Sequence, residues 1–257
     1  MIASSVPLDA ARDVGTLARV YANALEDFDH MLLDRSNKAY VDEHGLSGLF
    51  LPSMPPALHQ ARHRIMIVGA ETAGWNVLNQ GETFDTLESY VDRAMTKHER
   101  FARERFLQLT QDRGHTFWNF MRNVGRHCGT DGLIYANLFC CDWKGGSPLR
   151  SPRFKMVQHY SVRLLRAQVE FFAPSIIIFA NGIASAGARR AVFPNKGTDG
   201  MCSRGYDFAV SHGIPNSHLW AFKLNDKIDC YRIQHPSSQK AGAGAAREFL
   251  LSLLPTA

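Results

Sequence analysis

The sequence predicts an α/β protein, a three-layer sandwich around a central, mainly parallel four-stranded sheet. Three observations predict it. Four short apolar runs rich in β-branched residues recur along the chain, a Gly, Asn or His follows each within two residues, and segments with helical apolar spacing separate them. Continuous apolar runs fit strands buried on both faces, and helices between them fit the crossovers of a parallel sheet.

From about Leu8 to Leu33, apolar side chains at helical spacing (Leu17, Val20, Tyr21, Ala24, Leu25, Phe28, Leu32) predict one amphipathic helix. A polar stretch follows to Gly48, and Pro52, Pro55 and Pro56 interrupt the chain before the main fold. Residues 1–60 therefore read as a helical N-terminal extension and 61–257 as the α/β domain. Its strands are Ile65-Met66-Ile67-Val68, Leu133-Ile134-Tyr135-Ala136, Ile176-Ile177-Ile178-Phe179 and Cys230-Tyr231-Arg232-Ile233. Helices are predicted at about 117–127, 155–172, 183–192 and 241–254.

Composition narrows the function. With 257 residues, 45% apolar and 21% charged, the chain is neither disordered, fibrous nor a disulfide scaffold. The formal net charge of +5 permits a phosphate-contacting face. No apolar run approaches the roughly 18 residues of a membrane span, and Met1–Asp13 has no basic stretch followed by an apolar block, so a cytoplasmic protein without a membrane partner is expected. The five cysteines, at 128, 140, 141, 202 and 230, form no C-x-x-C pair and read as reduced thiols. No phosphate loop, dinucleotide fingerprint, zinc-protease helix, serine elbow or deaminase zinc motif is present, and no metal or cofactor is expected.

In open parallel sheets, ligands bind at the carboxyl ends of the strands. Glu71, Asn137, Asn181 and His235 all follow strand ends and could share one cleft. Three segments carry a resemblance: Val68-Gly69-Ala70-Glu71-Thr72-Ala73-Gly74, Ala136-Asn137-Leu138 and Gln234-His235-Pro236-Ser237-Ser238. In order and strand context they are similar to the motifs of the uracil-DNA glycosylase superfamily, and the similarity spans about Arg64 to Leu254. It implies that family's fold and a metal-free, cofactor-free DNA glycosylase, expected to act as a monomer.

The chain departs from the family pattern in three places. Thr72 stands where Pro is usual after the acid. Ala73 stands where uracil-specific members carry a Tyr that excludes a 5-methyl group. Residues 76–114, rich in Glu and Arg, read as an insertion before the Gly114-His115-Thr116-Phe117-Trp118 helix start, which is similar to one in the mismatch-specific branch. A small residue at 73 implies a roomier pocket, wide enough for a 5-substituted pyrimidine. Some superfamily members remove bulky modified cytosines in phage defence.

Breaking an N-glycosidic bond develops positive charge on the sugar and negative charge on the base, so it calls for an anion on one side and a hydrogen-bond donor on the other. The resemblance assigns these roles to Glu71, which orients water and stabilises the sugar cation, and to His235, which bonds the base carbonyl. Asn137 is the candidate base reader, because its amide both donates and accepts. The resemblance also implies that Gly69 opens the catalytic loop and that Ala73 lies at the pocket gate. A flipped base needs an apolar platform, for which Phe117 is the first candidate and Trp75 and Trp118 follow. Lys144 and Arg150, with Ser237, Ser238 and Lys240, are candidate DNA-backbone contacts. Two other readings stay open: a noncatalytic nucleic-acid-binding module and a hydrolase of free nucleosides.

Overall fold

The computed structural model describes residues 12–114 and 116–257. Residues 8–11 of the expected first helix, and His115, lie outside them.

The chain folds as an α/β protein around one six-stranded mixed sheet in the order β2-β1-β3-β6-β5-β4. β1 (Ile65–Gly69), β2 (Leu133–Asn137), β3 (Ile176–Phe179) and β6 (Ile228–Ile233) coincide with the four expected strands and run parallel. The expectation of four strands is corrected to six by β4 (Cys202–Asp207) and β5 (Leu219–Leu224), which are antiparallel to each other, with β5 antiparallel to β6. β4 is an exposed edge with Gly205 in its interior, which needs no apolar run. β5 opens with the apolar run Leu219-Trp220-Ala221-Phe222, with Leu219 buried in one core and Phe222 and Leu224 in the other, but it is not among the expected strands.

Among the described residues the helices are α1 (Val14–Ala24), α2 (Lys38–His44), α3 (Leu87–Ala102), α4 (Thr116–Cys128), α5 (Phe154–Phe172), α6 (Ala186–Val192), α7 (Ala209–His212) and α8 (Ala243–Leu253). Side chains alternate between two cores. Met66, Val68, Ile134, Ile177 and Phe179 pack beneath α1, α3, α5 and α6. Ile65, Ile67, Leu133, Tyr135 and Ile178 pack on the other face beneath α4 and α8.

The single helix expected to Leu33 is shorter. Asp13 caps α1 by accepting from the Thr16 amide at 2.6 Å, and the helix stops at Leu25. Asp29 then starts a separate short 3-10 turn, His30–Leu32, because its carboxylate offers the backbone a competing hydrogen bond. Leu25, Phe28 and Leu32 remain buried, so the apolar spacing reports burial across the break. The charged segment 76–114 contains α3, opened by a capping box between Thr86 and Ser89. Leu87, Tyr90, Val91, Ala94 and Met95 bury one face of it, while its Glu and Arg residues lie on the other. Both this segment and α1 belong to the core under the sheet.

Candidate active site at the carboxyl edge of the sheet

β3 lies between β1 and β6, and all three point the same way, so the loops after them leave one edge side by side. At about 4.8 Å per strand, β1 and β6 are about 10 Å apart. Glu71 lies two residues past the end of β1 and His235 two past the end of β6. Asn181, after β3, ties the edge together: its amide donates to the carbonyls of Val68 and Gly69, both at 3.2 Å, and Ser185 donates to its side-chain oxygen. Its role in this arrangement is structural. Gly182 follows with φ +72, a conformation suited to glycine.

Glu71 is half-buried. Burial raises its pKa, and the neighbouring Asp142 carboxylate raises it further. Its Oε2 is shielded from solvent and accepts no hydrogen bond from the described residues. Asp142, itself 1% exposed, accepts from the Gly74 amide through Oδ2 (2.7 Å) and from the Gly145 amide through Oδ1 (2.8 Å). One carboxylate thereby fixes the loop carrying Glu71 against the loop after β2.

His235 is exposed, and its imidazole stacks on Phe117 with ring centroids 5.4 Å apart. Its Nδ1 faces the Ser237 amide at 3.2 Å and the Ser237 hydroxyl at 2.6 Å. A backbone N–H can only donate, so Nδ1 is the acceptor and the neutral ring carries its proton on Nε2. Burial, and then the Arg247 guanidinium, lower its pKa and favour this neutral form.

The other expected residues divide into two groups. Gly69 is needed for close approach: a Cβ there would lie 2.6 Å from the Asn137 side-chain amide and 2.9 Å from Tyr135 Oη. Asn137 is 6% exposed. In the orientation that satisfies both ends of its amide, its nitrogen donates to Tyr135 Oη (2.9 Å) and Ala136 O (3.1 Å), and its oxygen accepts from Thr72 N (3.2 Å) and Oγ1 (2.7 Å). All four hydrogen bonds are made locally, so reading a base would require exchanging one of them. Phe117 is half-buried and also meets Tyr135 at 5.5 Å. Ala73 is exposed on the Glu71 loop.

Trp75 is corrected from a base platform to a core residue. It is 5% exposed, packs against Phe50 and Phe101, and donates its indole N–H to Leu49 O at 2.9 Å. Trp118 sits in the same aromatic cluster, between Phe101, Phe106 and Tyr135. Lys144 and Arg150 are exposed on the loop after β2, and Lys144 lies over the Trp143 ring. Ser237, Ser238 and Lys240 form the turn after His235, with Ser238 N donating to His235 O at 2.7 Å.

Sequence reasoning missed Tyr135, Asp142 and Arg247. Tyr135 reads as a strand residue, and its hydroxyl reaches the edge only because side chains at alternate positions of β2 face α4. An acid among loop residues after β2 carries no signal until the Gly74 amide, 68 positions away, is found on it. Among the described residues no group of three or more His, Cys, Asp or Glu could hold a metal ion, and no helix is long and apolar enough to cross a membrane. No protein-family model matches this chain, and no curated protein matches it.

Proposed function

We propose that the chain is a monofunctional DNA glycosylase that flips a modified or deaminated pyrimidine out of DNA and hydrolyses its N-glycosidic bond, leaving an abasic site. One observation carries the reading: a half-buried carboxylate with an unbonded oxygen and a neutral imidazole with its N–H on Nε2 leave the same sheet edge on either side of β3. In the proposed reaction the Glu71 carboxylate holds a water, accepts its proton and faces the sugar cation. The water oxygen bonds to the anomeric carbon as the carbon–nitrogen bond breaks, and the bonding pair leaves with the base. His235 Nε2–H stabilises the charge developing on the base oxygen, while Phe117, already against the imidazole, borders the base plane.

Uracil is the default substrate. The short, exposed side chain of Ala73 supports a wider gate that also admits a 5-substituted pyrimidine. The test is a panel of duplexes carrying uracil, a thymine mismatch, hydroxymethylcytosine or glucosylated hydroxymethylcytosine, read as alkali-induced scission. Glu71→Gln and His235→Ala should each lower the rate by about 10²–10⁴-fold while leaving salt-dependent DNA affinity largely intact. Activity confined to uracil would remove the wide gate. DNA binding without scission would make the chain a binding module, and turnover of free nucleosides without benefit from duplex would make it a nucleoside hydrolase.

A further inference from the structure

Arg189 in α6 and Arg232 in β6 are 3% and 4% exposed, and no described carboxylate pairs with either. The Arg189 guanidinium shows no hydrogen bond to a described residue, and its Nε and Nη1 are shut off from solvent. Arg232 uses Nη2 on the main-chain carbonyl and the side-chain oxygen of Asn216, the latter at 2.8 Å, and its Nε is left unbonded. Arg122 shows what this protein does elsewhere with a buried guanidinium: it is 2% exposed and meets Asp112 Oδ2 at 2.6 Å.

Aromatic rings offset part of the missing charge. Arg189 lies 4.9 Å from the Phe222 ring centroid, 5.4 Å from Trp220 and 5.7 Å from Phe179, and Arg232 lies 5.7 Å from Trp220. Phe179, Arg232 and Trp220 pair across β3, β6 and β5, so they form one row on one sheet face, three residues before His235. Burial and repulsion from Arg189 and Arg190 lower Arg232 to about 10, which still leaves it charged at neutral pH. Arg190, next to Arg189 on α6, is exposed, and Trp220 is half-buried.

Two buried cations without an anion are costly unless a ligand supplies one, and the guanidinium fork fits phosphate oxygens in a bidentate manner. We propose that Arg189 and Arg232, entered from the side of Arg190, form a binding site for a phosphate oxyanion, carried by a nucleic-acid strand or free in solution. This site is separate from Glu71 and stands independently of the glycosylase reading.

The test compares melting temperatures in sodium phosphate and in sodium chloride at equal pH and ionic strength. The wild type should show a saturable rise of roughly 5 °C at a hundredfold excess over Kd. Arg189→Met keeps the apolar stem against the rings, so it should melt higher than wild type in chloride and lose the phosphate response. Arg189→Lys should retain part of it. A second measurement separates the sources. If a strand carries the phosphate, Arg189→Met weakens oligonucleotide binding and reduces the slope of log affinity against log salt by about one. If the ligand is free phosphate, that slope is unchanged while the melting response is lost. Equal melting of the wild type in both salts, or an unaltered response in Arg189→Met, overturns the proposal. None of these readouts involves base release.

Discussion

The Phe117 ring lies against the His235 imidazole, with 5.4 Å between centroids and 26° between planes, and so joins the first turn of α4 to the loop after β6. The contact ties an aromatic platform to the candidate base-side donor. A ligand bonded at Nε2 extends in the plane of the imidazole, which brings it beside the Phe117 ring.

Phe117→Ala should therefore act on substrate binding more than on proton transfer. We expect kcat/KM on the preferred duplex to fall about 10- to 100-fold, mostly through KM, because lost stacking is worth about 1–3 kcal/mol per base. Phe117→Tyr keeps the ring and should stay close to wild type. Steady-state kinetics of both variants check this; a pure kcat defect in Phe117→Ala would show that the ring positions His235 instead of the base.

The pH dependence follows from Glu71 and Asp142. Glu71 has a raised pKa, and in the proposed reaction it works as a carboxylate, so activity should fall as pH drops through a value above the ordinary 4.5. Asp142→Asn removes the negative neighbour, while its amide oxygen can still accept from one of the Gly74 and Gly145 amides. The acid limb of the kcat/KM profile should then move to lower pH, with a lower plateau because the loop is less firmly held. An unmoved limb would mean that a different group titrates.

Ser237 offers a narrower test of the His235 tautomer. The Ser237 amide donates to Nδ1, and Ser237→Ala keeps that amide while removing only the hydroxyl. We expect Ser237→Ala to keep kcat/KM within about tenfold, against the larger loss of His235→Ala. Nitrogen chemical shifts of His235 should show the proton on Nε2 in both wild type and Ser237→Ala. A proton on Nδ1 would turn the acceptor nitrogen toward the base and remove the donor role.

The four parallel strands were legible because burial on both faces makes Ile65–Val68 or Ile176–Phe179 apolar at every position. β4 was not, because Ser203, Arg204, Gly205 and Tyr206 belong to an edge that needs little apolar surface. α3 was read only as part of a charged insertion, since its Glu and Arg residues dominate composition while Tyr90, Val91, Ala94 and Met95 carry the packing. The strand-end positions of Glu71, Asn137 and His235 could be read for the same reason as the strands they follow. What could not be read was how the edge is wired: the closed network of Asn137, Thr72 and Tyr135, and the grip of Asp142 on Gly74, are meetings of side chains and amides distant in sequence. Trp75 illustrates the limit from the other side, since an indole next to a catalytic-looking loop reads as a platform until Phe50 and Phe101 are found around it.

Acid stability should depend on His98. The ring is 2% exposed on α3, and its Nδ1 accepts from the Ser53 amide at 3.0 Å. Burial lowers its pKa to about 3, with partial opposition from the Tyr135 backbone. In the unfolded chain the same group titrates near 6.5, so below that pH the unfolded state takes the proton first, and stability falls as pH drops from about 6.5 towards 3. At pH 5 the unfolded state gains about 2 kcal/mol from this one residue. His98→Gln retains an acceptor for Ser53 but cannot be protonated. It should be less stable than wild type at pH 7, yet its loss of stability between pH 7 and pH 5 should be smaller by about 2 kcal/mol. Urea unfolding at the two pH values measures the difference directly, and equal losses in the two proteins would mean that His98 takes up its proton without opening the core.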